Sequence, residues 1–85
     1  MYFVYLLRCK DKSIYTGITT DLKRRLAEHR AGTGSRYTRA HRAVKILYTE
    51  KCRNRSAASK REAEIKRMTR SQKMVLCTSN KKHHE

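Results

Sequence analysis

Apolar and β-branched residues crowd positions Tyr2 to Cys9, give way at Asp11-Lys12-Ser13, and resume at Ile14-Tyr15-Thr16-Gly17-Ile18, the pattern of a β-hairpin. A three-residue loop at that break sets Cys9 opposite Tyr15 and Leu7 opposite Gly17. Because side chains alternate with period two, it also puts Tyr5 and Tyr15 on one face; a two-residue loop would separate them. Leu22 and Leu26 follow one helical turn apart, after the capping candidates Thr20 and Asp21, and Gly32 suits a left-handed stop. Arg25 and His29 are also one turn apart and form a polar ridge beside the leucines, at the margin of the packed face. From Thr33 to Arg42 the chain is small, hydroxylated and basic, a loop by composition. Ala43 to Thr49 reads as a third strand. Ser56 precedes a helical run to about Met68 with Ala58, Ile65 and Met68 as its apolar stripe, and Ser71 is placed to cap a short last helix carrying Met74, Val75 and Cys77. The expected fold class is α+β: a small three-stranded antiparallel sheet flanked by helices in the order β-β-α-β-α-α. One domain over 1–77 and a flexible basic tail over 78–85 are expected, the tail including His83 and His84.

Charge narrows the partners. Lys and Arg number 22 against 7 Asp and Glu, a formal net charge of +15 on 85 residues. So dense a positive field on a domain that buries only about 60% of its unfolded surface points to a polyanion, nucleic acid first. A membrane surface is disfavoured, because it asks for an amphipathic helix with aromatic anchors and the aromatics here sit mostly in strand-like segments. Cys9, Cys52 and Cys77 are odd in number and form no Cys-x-x-Cys pair, which argues against a disulfide framework or a zinc site. The opening apolar run is interrupted by Arg8 and lacks the features of a signal segment, so a cytoplasmic protein is expected.

Within this frame the side chains suited to phosphodiester chemistry fall together. Hydrolysis of a phosphodiester needs a base for water, positive charge at the developing oxygens and help for the leaving oxygen. Arg25 offers a fixed fork for phosphate. Tyr5 or His29 can take the proton from water, directly or by relay, and Tyr15 can orient water or phosphate. Asp11, Asp21, Glu28, Glu50 and Glu85 fall in turns, caps or exposed ends, so the clustered acids of a two-metal site are missing, and a single Mg²⁺ or Mn²⁺ held by one glutamate, waters and substrate oxygens is expected. Glu62 and Glu64 both flank the Ala58–Ile65 stripe, and helical phase barely separates them. Taken singly each residue has a plainer reading: the tyrosines as cross-strand packing, Arg25 and His29 as a solvated helix face, Glu62 as an ion-pair partner of Arg61 or Lys66. Their order along the chain is what those readings leave unexplained.

That order resembles the GIY-YIG nuclease superfamily, in particular its small stand-alone bacterial members, over Tyr2 to about Leu76. Phe3-Val4-Tyr5 stands at the first signature triplet, without its glycine, and Tyr15-Thr16-Gly17 at the second, without its isoleucine. Gly17-Ile18-Thr19, Asp21-Leu22 and Arg25 are similar to the start of the family's first helix, Gly34-Ser35-Arg36-Tyr37-Thr38 to its basic Tyr-Thr loop, and Ala58, Arg61-Glu62 and Ile65-Lys66 to the helix that supplies the metal-binding glutamate. The resemblance implies an endonuclease leaving a 5′-phosphate and a 3′-hydroxyl. It implies Tyr5, Tyr15, Arg25 and His29 as catalytic residues and selects Glu62 over Glu64 as the metal ligand. Lys23, Arg24, Arg36, Tyr37, Thr38, Arg39 and Lys66 become the expected nucleic-acid contacts. Asn80 is the one candidate for the asparagine that many members place after the metal helix. DNA is the expected partner with RNA left open, with little sequence preference because no zinc finger or helix-turn-helix is present. No small-molecule cofactor is expected, and a monomer is favoured. The alternative is a nucleic-acid-binding module with weak or lost nuclease activity.

Overall fold

In the computed structural model, which describes residues 1–80, the elements run β1 (Tyr2–Cys9), β2 (Ile14–Thr19), α1 (Leu22–Ala31), α2 (Arg36–His41), β3 (Ala43–Cys52), α3 (Arg55–Lys66) and α4 (Arg70–Asn80). The Asn80 side chain and residues 81–85, with His83 and His84, lie outside the described residues, so the expected tail falls there except for its first three positions, which continue α4. The strands form one antiparallel sheet in the order β2-β1-β3. The most continuously apolar segment takes the centre, where both faces are covered.

The hairpin loop has the expected three residues but sits one position earlier. Cys9 N–H bonds the Ser13 carbonyl at 2.9 Å, Lys12 takes the left-handed conformation (φ 71°), and Leu7 pairs with Tyr15 and Tyr5 with Gly17. The register is two residues from the expected one, an even slip, and Tyr5 and Tyr15 still share a face.

Two layers of helix sandwich the sheet. Val4 and Leu6 point with Tyr48 and Cys52 into a core closed by Ala58, Ile65 and Cys77 of α3 and α4. Tyr5 and Leu7 point the other way, toward Leu22, Arg25 and Leu26 of α1. Along β3 the pairing skips Leu47, so that Leu6 faces Tyr48 but Leu7 faces Ile46 and Arg8 faces Lys45. A bulge of this kind reverses which side the following residues face. It sends Ile46 toward α1 and Lys45 toward α4.

Helix ends depart from the sequence reading in three places. Asn54, not Ser56, caps α3 through Oδ1 and the Ala57 N–H at 2.8 Å. Thr69, not Ser71, caps α4: its hydroxyl accepts from Gln72 N–H at 3.2 Å while Gln72 Oε1 accepts from Thr69 N–H at 2.8 Å. Most consequential, the segment expected to be loop contains α2, opened by a capping box in which Ser35 Oγ accepts from Thr38 N–H at 3.1 Å and Thr38 Oγ1 from Ser35 N–H at 3.2 Å. Composition hid it because six residues carry too little periodicity to register. No helix among the described residues is long and apolar enough to cross a membrane.

Candidate active site

The sheet's β2 edge collects the predicted chemistry. Gly17, opposite Tyr5 in the ladder, leaves room for the phenol to lie across β2: a Cβ there would sit 2.6 Å from Tyr5 Oη and 3.0 Å from the Tyr15 ring. Gly34 does the same for His29, whose imidazole occupies the space a Gly34 side chain would need. Tyr5, Tyr15 and His29 form a triangle of rings with centroids 6.2, 5.7 and 5.3 Å apart.

His29 is 1% exposed and Tyr5 2%, and His29 is the one buried residue of α1. The expectation of a polar ridge at the helix margin is therefore corrected: the imidazole, not the leucines, is the most deeply buried side chain of that helix. It is paid for with hydrogen bonds on both nitrogens, Nε2 to Tyr5 Oη at 2.9 Å and Nδ1 to Thr38 Oγ1 at 2.6 Å. Burial, then the Arg25 charge, lowers the His29 pKa, so the ring is neutral near pH 7; burial likewise pushes the Tyr5 phenol up to about 12 against the opposing pull of Arg25. Between a neutral phenol and a neutral imidazole the phenol is the acid, so Tyr5 donates to Nε2 and Nδ1–H donates to Thr38 Oγ1. The Thr38 hydroxyl hydrogen is left for Ser35, whose carbonyl lies at 3.3 Å and Oγ at 3.0 Å.

Arg25 is half-buried and prepositioned. One terminal nitrogen donates to Glu28 Oε1 at 2.8 Å and the other to the Gly34 carbonyl at 3.4 Å. Glu28, then Tyr5, raises its pKa, and the remaining N–H groups of the fork are available to a phosphate. On α3, Glu62 and Glu64 part company. Glu64 bonds Arg61, which also clamps Glu50 of β3 through Nε at 3.0 and 3.2 Å. Glu62 is the less exposed of the two, with Lys66 Nζ at 3.5 Å, and is near enough to Tyr5 for its charge to bear on the phenol. No group of three or more His, Cys, Asp or Glu is placed to hold a metal among the described residues. The donor set at this edge, one partly exposed carboxylate, fits a hard cation that keeps several waters and takes its other ligands from substrate.

The remaining predicted contacts divide. Lys23, Arg24, Arg36, Arg39 and Lys66 are exposed, Arg24 sharing Glu28 with Arg25 and Lys66 holding Glu62. Tyr37 is 38% exposed and stacks between Tyr15 at 5.7 Å and His41 at 4.2 Å. Thr38 is a correction: at 1% exposure its hydroxyl is consumed by His29 and Ser35, so it cannot meet a nucleic acid. Its part in holding His29, and that of Glu28 in clamping Arg25, were missed in the sequence. The Ser35-x-x-Thr38 spacing was the one available signal for the former.

The model of the GIY-YIG catalytic domain family matches residues 1–75. A UPF0213 protein of Desulfotalea psychrophila is 46% identical over 82 residues, covering 95% of this chain and 74% of its own length. One of Clostridium perfringens is 46% identical over 79 residues, with 93% and 85% covered. Two solution NMR structures share the fold: a protein from E. faecalis at 44% identity and TM-score 0.64, covering 99% of this chain and 88% of that one, and a UPF0213 protein from Bacillus halodurans at 38% and 0.58, covering 92% and 84%.

Proposed function

This chain belongs to the GIY-YIG catalytic-domain family, and from that premise we propose that it is a metal-dependent endonuclease hydrolysing DNA phosphodiester bonds at the β2 edge, directed by DNA structure with little sequence preference. The domain is that of a nuclease superfamily, whose members generally use a divalent metal. The observation that carries the reading is the relay Tyr5–His29–Thr38, buried throughout, with its phenol end against Arg25.

Its chemistry follows from the proton positions. At a pKa of about 12 Tyr5 is not a phenolate at neutral pH, so it does not act by free ionisation. It takes a proton from water only as it passes its own to His29 Nε2, and the imidazolium so formed keeps its Nδ1–H on Thr38. Between the two bases left open by the sequence, this arrangement favours Tyr5, the member beside Arg25, as the group that takes the proton and His29 as the acceptor behind it. Arg25, held by Glu28 and the Gly34 carbonyl, stabilises charge on the non-bridging phosphate oxygens, and Tyr15 orients the attacked group. Glu62 would hold a single Mg²⁺ or Mn²⁺ after releasing Lys66, and the ion, when bound, supplies Lewis-acid stabilisation of the phosphate and leaving oxygen.

The test is incubation of the purified protein with linear, nicked, flapped and junction DNA and with structured RNA, with and without Mg²⁺ or Mn²⁺, alongside Arg25→Ala. Metal-dependent cutting lost in Arg25→Ala supports the proposal. Binding without cutting by the wild type on every substrate and metal replaces it with the binding-module reading.

A further inference from the structure

The α4 face of the sheet, at its hairpin-turn end, carries a second cationic feature that the β2-edge site does not use. Arg8, Lys12, Lys45 and Arg70 line a cleft of about 480 Å³ between the hairpin turn, β3 and α4, over a floor that includes Leu47, Met74 and Cys77. Among the described residues none of the four cations is paired with a carboxylate. Their convergence is built by the fold. Arg8 and Lys45 are cross-strand partners on the α4 face, and Lys45 reaches that face only because β3 bulges at Leu47. Arg70, at the start of α4, donates to the Lys12 carbonyl at 2.5 Å and so ties the turn to the helix. Four like charges gathered around one apolar-floored cleft repel one another until an anion enters.

We propose that this cleft is a second phosphate-backbone site, binding an arm or displaced strand of the same nucleic acid whose scissile bond lies at the β2 edge. The proposal rests on the nuclease reading for its substrate and narrows it to branched or flapped DNA. The domain is 27 Å across, with Tyr5 and Tyr15 on the α1 face of the sheet and the cleft on its α4 face. A straight duplex seated on one face passes the domain on that side, whereas a substrate with a second arm reaches both.

The experiment is binding in the absence of divalent metal, so that cutting plays no part: affinities of the full chain for linear duplex and for three-way-junction DNA, titrated over a range of salt. The variant is Lys12→Glu/Lys45→Glu, two exposed residues with no side-chain partner. Arg53→Glu/Lys60→Glu, exposed elsewhere, is the control of equal charge change. Wild type should show a steeper salt dependence for the junction than for the duplex. Lys12→Glu/Lys45→Glu should shallow the junction slope by about 1.8, two phosphates at about 0.9 each, and match the control on linear duplex. Equal effects of the two double variants on the junction would overturn the site, reducing it to general field. A loss of binding to vesicles of anionic lipid with junction binding intact would overturn it in favour of a membrane surface. Failure of every substrate to be cut would sink the nuclease reading and leave these binding results standing.

Discussion

Thr38→Val is the perturbation that most directly probes how the buried imidazole is set. Valine keeps nearly the shape but removes the one oxygen, which lies 2.6 Å from His29 Nδ1 and also accepts from Ser35 N–H. In a pocket where His29 is 1% exposed, a stranded N–H costs about 1–3 kcal/mol. The ring escapes that cost by moving its hydrogen to Nε2, which then donates to Tyr5 instead of accepting from it, and the relay cannot take a proton from water. A bias of about 1–3 kcal/mol is a factor of about 5–150 in population, so cleavage should fall by about 10- to 100-fold. Stability should fall by no more than about 3 kcal/mol, within the total of about 4–13 kcal/mol expected at ~0.05–0.15 kcal/mol per residue. Thermal melts should drop about 4–8 °C per kcal/mol lost. Thr38→Ser keeps the hydroxyl and should recover most of the cleavage. Single-turnover rates beside circular-dichroism melts separate the two effects. A folded Thr38→Val that cuts at the wild-type rate would refute the tautomer assignment, and equal loss in Thr38→Ser and Thr38→Val would make Thr38 a packing residue only.

Four further outcomes are expected. Glu62→Gln should abolish metal-dependent cleavage while leaving metal-free DNA binding equal or tighter, and Glu64→Gln, whose carboxylate serves Arg61, should remain active; the reverse result in single-turnover assays would make Glu64 the metal ligand. Gly17→Ala should displace the Tyr5 phenol, since the new Cβ would lie 2.6 Å from Tyr5 Oη; cleavage falls sharply, and retention of full activity would count against the phenol's position. His29 has its pKa lowered by burial, so the unfolded chain binds a proton before the folded one: stability is full above about pH 6.5 and declines as pH falls below it toward the folded value. Melts from neutral pH to about 5 should show that slope, absent in His29→Gln; Asp11, held down to about 2, acts only at more acid pH. DNA affinity should fall about 10³-fold between about 50 and 200 mM salt if roughly six phosphates are contacted, and a salt-independent affinity would contradict the electrostatic account.

The local signals in the chain were enough to determine the strand-strand-helix opening, the shared face of Tyr5 and Tyr15, and the one-turn spacing of Arg25 and His29. Period-two and 3.6-residue patterns report side-chain direction regardless of what packs nearby, and the even slip in hairpin register left that direction unchanged. Burial was another matter. Nothing local distinguishes a solvated histidine near a helix end from one sealed beneath Gly34 and bonded to Tyr5 and Thr38, because the partners come from β1 and α2, 24 and 9 residues away in sequence. Helix α2 escaped notice for the same reason: six residues gain their order from a capping box and from the imidazole they enclose rather than from propensity. Glu62 and Glu64, alike in helical phase, differ only through contacts: Arg61, held by Glu50 of β3, pairs with Glu64, while Glu62 pairs with Lys66 and is near enough to Tyr5 for its charge to bear on the phenol. The cationic cleft depended on a bulge that turns Lys45 over, a choice made by the packing of three strands and α4 that no periodicity in the chain records.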